Sequence, residues 1–196
     1  MSLDFDSARL PNPYLKSEHE EWRTQVRRFF DREVIPYAEE WDEEGYIPEI
    51  LWPKAAEVGI LGLGYPERYG GIEEDIDIWH QMILNEELAR IGVGGISATL
   101  MVHGIALPPL VNYASEALKD EVIPPILRGH KRISLAVTEP SAGSDVAQLQ
   151  TTARLEGDYY VVNGSKMYIT GGMNANWFTT AVRTGGSGAS GISTLL

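Results

Sequence analysis

Two short stretches carry side chains whose types and spacing could do chemistry. The first, Thr138-Glu139-Pro140-Ser141-Ala142-Gly143-Ser144-Asp145, follows the apolar run Leu135–Val137. Thr138, Ser141 and Ser144 bring hydroxyls, and Pro140 and Gly143 constrain the path of the chain. Gly143, having no Cβ, lets the backbone come close to a ligand, and exposed loop amides add donors. Such a set suits a neutral polar ring system or the edge of a phosphate. The second stretch, Met167-Tyr168-Ile169-Thr170-Gly171-Gly172, offers an aromatic face at Tyr168 and a hydroxyl at Thr170, at the end of an expected strand. By residue type alone both stretches also serve as two ordinary polar loops, the commoner use of such residues. That alternative stays open at this point.

Other chemistries are removed by what the chain lacks. There is no cysteine, so disulfides, thiolate nucleophiles and cysteine-based metal sites are excluded. His19, His80, His103 and His130 are scattered without ligand spacing, and no metal site is expected. His103 lies in the apolar run "ISATLMVHGIALPPL" and reads as a buried, hydrogen-bonded histidine. "GSGASG", Gly186 to Gly191, matches a dinucleotide-binding pattern literally. It is followed by strand-like "ISTLL" rather than a helix, so it reads as a hairpin loop. Neither a G-x-x-x-x-G-K-[ST] nor a G-x-S-x-G motif occurs, and "NGS" at Asn163 reads as a turn.

The formal charge is −12 over 196 residues. Residues 1–130 hold 11 basic and 24 acidic side chains (net −13), and residues 131–196 hold 5 and 4 (net +1), which together give −12. So acidic a chain lacks the cationic stripe that displaces counterions from nucleic acid. No apolar run approaches the roughly 20 residues of a membrane span. "MSLDFDSARL" has neither signal-peptide nor transit-peptide character, which places the expected location in the cytoplasm.

The elements that must position the two stretches divide near residue 131. Trp22, Val26, Phe29, Phe30 and Val34, three and four apart, predict an amphipathic helix over Glu18–Ile35. Pro36 should kink or restart it, with Gly45 as the stop. A short helix is predicted from about Pro48 to before Gly59, then a loop through "GLGYPERYGG". Further helices are predicted over Glu74–Ile91, with acids in its first turn, over Gly95–Asn112, and from Ser115 toward Leu127. After His130 the period changes to alternation. Strands are predicted at "RISLAVT", on both sides of Glu156-Gly157-Asp158, after an Asn163-Gly164 hairpin turn, at "WFTTAVRT" and at "ISTLL". The fold class is α+β: an all-α helical bundle over 1–131, then an antiparallel, barrel-like β domain over 132–196. The last strand stops at Leu196 on apolar residues, so the β domain reads as truncated.

With both stretches in order, a resemblance emerges. "AVTEPSAGSDVAQLQTTARLEGDYYVVNGSKMYITGG" resembles the signature region of the FAD-dependent acyl-CoA dehydrogenases, T-E-P-x-A-G-S-D followed by G-D-x-Y-x-x-N-G-x-K-x-[W/F/Y]-I-T-[N/G]-G. "GYPERYGG" (Gly64 to Gly71) and "YASEALKDEVIPPILRG" (Tyr113 to Gly129) are similar to further family segments, in the family's order. The resemblance implies an N-terminal helical domain and most of a middle β domain, without the family's C-terminal four-helix domain. It implies FAD as cofactor and an acyl-CoA thioester as substrate, oxidised to the 2-enoyl-CoA with hydride transfer to flavin N5.

Carried over residue by residue, Val137 and Thr138 pass the flavin's pyrimidine end, and Gly143 and Ser144 meet cofactor and thioester. Tyr168, where the family commonly has tryptophan, packs on the ring, and Thr170 bonds near N5. By analogy Ala98, Leu100 and Met101 line the acyl pocket. The family's α-proton base is a glutamate contributed after the stretch present here, so no catalytic residue is assigned and one is expected beyond Leu196. Glu139 reads as a turn and packing residue. The implied partners are an electron-transfer flavoprotein or similar acceptor, and other copies of the chain in a dimer or homotetramer. An acyl-CoA oxidase and a non-catalytic or half-site subunit are the alternatives.

Overall fold

The computed structural model describes residues 10–196; all but Leu10 of the N-terminal segment read above for targeting signals lies outside them. They form two compact units. One comprises the described residues up to Met101 together with Asp120–His130, and the other comprises Val102–Lys119 together with Lys131–Leu196.

In the first unit α1 spans Ser17–Glu33 and buries Val26, Phe29 and Phe30, the residues whose spacing predicted it. Pro36 sits in a single 3-10 turn, Ile35–Tyr37, before α2 (Ala38–Glu44) ends at left-handed Gly45. Helix α3 (Leu51–Val58) stops at Gly59, whose φ of 93° suits glycine. Helix α4 covers Ile78–Ala89, starting later than predicted. The physical reason is Asp77, whose carboxylate accepts from Trp79 N (2.9 Å) and His80 N (3.4 Å) and so caps the helix, leaving Glu73 and Glu74 outside it. Helix α5 is Gly94–Met101. The core joins Phe30, Leu51, Ile60, Leu61, Leu84 and Leu100.

The predicted single helix over Gly95–Asn112 is three: α5, α6 (His103–Ala106) and α7 (Pro108–Tyr113). Pro108 at the start of α7 has no amide hydrogen to continue the preceding turn, but is well placed to open a new one. His103 is buried, as expected. Helix α8 runs Glu116–Leu127. No single described helix is long and apolar enough to cross a membrane.

The sheet of the second unit is open and mixed, which corrects the expected antiparallel barrel. Its strands are β1 (Ile133–Ala136), β2 (Thr152–Glu156), β3 (Tyr159–Asn163), β4 (Trp177–Arg183) and β5 (Ile192–Leu195). Strand β4 runs parallel to β1, Ile133 opposite Trp177 through Ala136 opposite Thr180, and antiparallel to β5. It meets β2 through one parallel pair, Thr152 with Arg183. A parallel neighbour needs a long crossover, and residues 137–176 supply it. The β2–β3 hairpin turns at Gly157 (φ 63°) as predicted. The glycine-rich stretch at 186–191 joins β4 to β5 as a hairpin loop, its carbonyls at Gly186 and Gly188 accepting from Arg183 Nη1 at 2.6 and 3.0 Å.

The strand predicted after Asn163-Gly164 does not form. Gly164 has φ 155°, which is not the left-handed geometry of a two-residue hairpin turn. It packs so closely on Thr151 that a Cβ would stand 2.4 Å from its Oγ1. The chain leaves β3 there and returns, as irregular backbone, to the exit of β1.

Candidate functional site

The two chemically interesting stretches meet at that return. Met167 N donates to Thr138 O at 2.9 Å, so Tyr168 follows directly on a bond to the Thr138 loop. Buried Ser134, on β1, donates from Oγ to Thr170 O at 2.7 Å and fixes the other end of the segment. The 138–145 loop is pinched by a pair of backbone bonds, Glu139 N to Ala142 O (2.9 Å) and Ala142 N to Glu139 O (3.2 Å). Beyond the pinch Gly143 and Ser144 are exposed, and nothing lies within 4 Å of where a Gly143 Cβ would be. Val137 and Thr138 are half-buried, and Thr170 is exposed.

Tyr168 is the unusual residue of the group. Its φ is 56°, in the left-handed region, where a bulky side chain costs about 1–2 kcal/mol. The residue is 85% exposed. Burial of the ring therefore does not offset the backbone strain; the bonds at Met167 and Thr170 hold it in place. Strained residues so over-determined cluster at ligand sites. An aromatic face held open beside loop hydroxyls fits a planar, partly polar ring such as an isoalloxazine.

Beneath this surface lies a group that spacing did not reveal. The Glu139 carboxylate, 5% exposed, accepts from Lys166 Nζ (2.8 Å) and Thr151 N (2.9 Å) at Oε1, and from Gln150 N (2.6 Å) at Oε2. Lys166 Nζ also donates to Val137 O at 3.0 Å. Burial alone would raise the Glu139 pKa; the Lys166 ammonium and the Thr151 and Gln150 groups more than offset this and bring it down to about 2. The Thr151 hydroxyl is buried beside the same carboxylate without closing a bond of normal geometry. A carboxylate so hidden and so acidic does not take protons at neutral pH.

The predicted acyl-pocket residues stand in the helical unit. Leu100 is 0% exposed within its core and Met101 packs against that core, whereas Ala98 is exposed. The same unit gathers two of the scattered histidines. His19 Nε2 lies 3.1 Å, and His80 Nδ1 3.0 Å, from Asp77 Oδ1, and the three groups offer ligand atoms within 4.8 Å of one another. His19 Nδ1 accepts from Lys16 N at 3.0 Å, which puts the ring proton on Nε2, facing Asp77. The cluster thus closes as a helix-capping network spanning residues 58 positions apart.

The model of the acyl-CoA dehydrogenase N-terminal domain matches residues 16–130, and that of the acyl-CoA dehydrogenase middle domain matches residues 134–196. The chain belongs to the acyl-CoA dehydrogenase family. Acyl-CoA dehydrogenase apdG of Emericella nidulans is 36% identical over 204 residues, covering 95% of this chain and 47% of that protein. A solved structure of a probable acyl-CoA dehydrogenase from Mycobacterium abscessus superposes with a TM-score of 0.86 at 46% identity, covering 92% of this chain and 48% of that one. The acyl-CoA dehydrogenase of Bacillus anthracis, solved in complex with FAD, matches with a TM-score of 0.80 at 32% identity, over 89% of this chain and 30% of that one. The chain thus spans about half the length of the first two relatives. Glu139 and Lys166 belong to the T-E-P and N-G-x-K parts of the matched signature, so the motif held the signal while the pairing needed the fold.

Proposed function

We propose that this chain provides the flavin-facing part of an FAD-dependent acyl-CoA dehydrogenase, which oxidises an acyl-CoA thioester to the 2-enoyl-CoA. The observation that carries the reading is the exposed, positively dihedral Tyr168 held beside the Thr138–Ser144 loop. The FAD complex of the Bacillus anthracis relative supports it. Bound FAD would supply the hydride acceptor. Tyr168 gives the ring an apolar face, the Thr170 hydroxyl a donor near its reactive edge, and Val137 and Thr138 line its pyrimidine end. Gly143 and Ser144 form the rim toward the thioester, where the missing Cβ admits the ester closely. Tyr168 presents a smaller face than the tryptophan common in the family, so stacking area is lower and the flavin potential is set more by Thr170. The reading assigns these side chains binding and orientation only. The proposal extends to a cytoplasmic location, to a dimer or homotetramer, and to an electron-transfer flavoprotein or similar acceptor.

FAD titration of the protein, followed by flavin fluorescence, tests the reading. Saturable binding weakened at least tenfold by Tyr168→Ala is expected, and absence of saturable binding to the unaltered protein would refute it. The polypeptide ending at Leu196, alone, is expected to reduce no artificial acceptor with any acyl-CoA; turnover by it would overturn the binding-only assignment. The oxidase alternative predicts rapid reoxidation of the reduced holoenzyme by air, and a dehydrogenase predicts slow reoxidation.

A further inference from the structure

We propose that Glu139 and Lys166 act as the positioning pair of this site, one buried ion pair that ties the exit of β1, the entry of β2 and the segment bearing Tyr168 and Thr170 into a single arrangement. The inference rests on the flavin reading for its consequence, not for its geometry. Two stretches of chain converge on a carboxylate borne by a third: Gln150 and Thr151 through their amides, and Lys166 through its ammonium. Lys166 in turn reaches the Val137 carbonyl, so the pair holds the chain on either side of Thr138. The Met167–Thr138 bond, which places Tyr168, lies one residue beyond each partner. Gly164 permits the approach by letting the chain lie flat on Thr151.

Stability alone is a poor explanation of the pair. Desolvating two charges costs about as much as their attraction returns, and packed apolar side chains would serve as well. Directed bonds joining three segments do something apolar packing does not, which is to set the register of irregular backbone. Residues 164–176 have no strand ladder to set it for them. Glu139 and Lys166 are therefore placed as residues that act on the ligand through Thr138, Tyr168 and Thr170.

Glu139→Gln keeps the shape of the side chain but turns an amide NH2 toward one of the donors now sharing the carboxylate. Glu139→Gln/Lys166→Met removes both buried charges, so its urea midpoint should lie above that of Glu139→Gln alone, which leaves the Lys166 ammonium without its carboxylate. In the flavin-free protein, amide hydrogen exchange at Thr151 and Met167 should speed up about tenfold or more in both variants, with α1 and β5 unchanged. Unchanged exchange at Met167 in the double variant would overturn the tie. With FAD added, the folded double variant should bind about tenfold more weakly or worse and show an altered visible flavin spectrum. Retention of the original affinity and spectrum would overturn the positioning role. If the unaltered protein takes up no FAD, the flavin reading falls, and the exchange result alone still decides whether the pair sets this backbone.

Discussion

Removal of Glu87 should strongly destabilise the helical unit. Glu87 lies on α4, 1% exposed, facing α1. Arg27 grips it with two bonds, Nη2 to Oε1 at 2.7 Å and Nε to Oε2 at 3.0 Å. Arg90 Nη1 adds a bond at 3.0 Å and Arg23 Nη1 a longer one at 3.4 Å. Burial would raise the carboxyl pKa, but the bond and charge of Arg27 and then of Arg90 outweigh it, and the pKa is lowered. Glu87→Ala removes the carboxylate that joins the three guanidinium groups, although Arg23 keeps Glu20 and Glu86 and Arg90 keeps Asp31. Breaking a buried pair from one side costs about 3–5 kcal/mol. For a chain of this size each kcal/mol is worth about 2–4 °C, so the melting temperature should fall by about 6–20 °C. Urea unfolding followed by far-ultraviolet circular dichroism would give the free energy, and a double-mutant cycle with Arg27→Ala would isolate the pair, with a coupling of about 1–3 kcal/mol expected. A loss below about 1 kcal/mol, the range of exposed ion pairs, would refute the view that this network is effectively out of water.

Three further outcomes follow from the second unit. Glu139, with its folded pKa near 2 against an ordinary value of 4.5, contributes stability that is fully present above about pH 4.5 and lost as the pH falls toward 2. The depression amounts to about 3 kcal/mol, so urea midpoints should drop along this acid limb, and a Glu139→Gln variant should show a visibly flatter limb; identical limbs would remove Glu139 as the cause. Tyr168→Asn should stabilise the flavin-free protein by about 0.5–1 kcal/mol, because asparagine tolerates the left-handed region and the exposed ring gives up little burial; a lower urea midpoint would contradict the strain argument. In the flavin-loaded enzyme Thr170→Val should lower the midpoint potential and slow reduction by substrate, whereas an unchanged potential would take Thr170 out of the N5 role.

How far the sequence could be read depended on the distance over which each feature is decided. Helix α1 was legible because Val26, Phe29 and Phe30 state its buried face within a single turn of one another. The Gly157 hairpin and the Gly186–Gly191 loop were legible for the same local reason. The start of α4 was misplaced by acids that suit a first turn, because the capping residue, Asp77, is also claimed by His19, 58 positions away. The strand after Asn163 was the larger miss. Its Asn-Gly pair and the alternation through Tyr168 are a good local argument for a third antiparallel strand. That argument loses to a single long-range demand, a buried carboxylate at Glu139 that needs the Lys166 ammonium 27 residues on. Lys166 is drawn instead to the exit of β1, away from β3, and β4 separately pairs with β1 in parallel across the long 137–176 connection. The Glu139–Lys166 interaction brings Tyr168 to Thr138, so the place where local rules were overruled is the place where the candidate site is built.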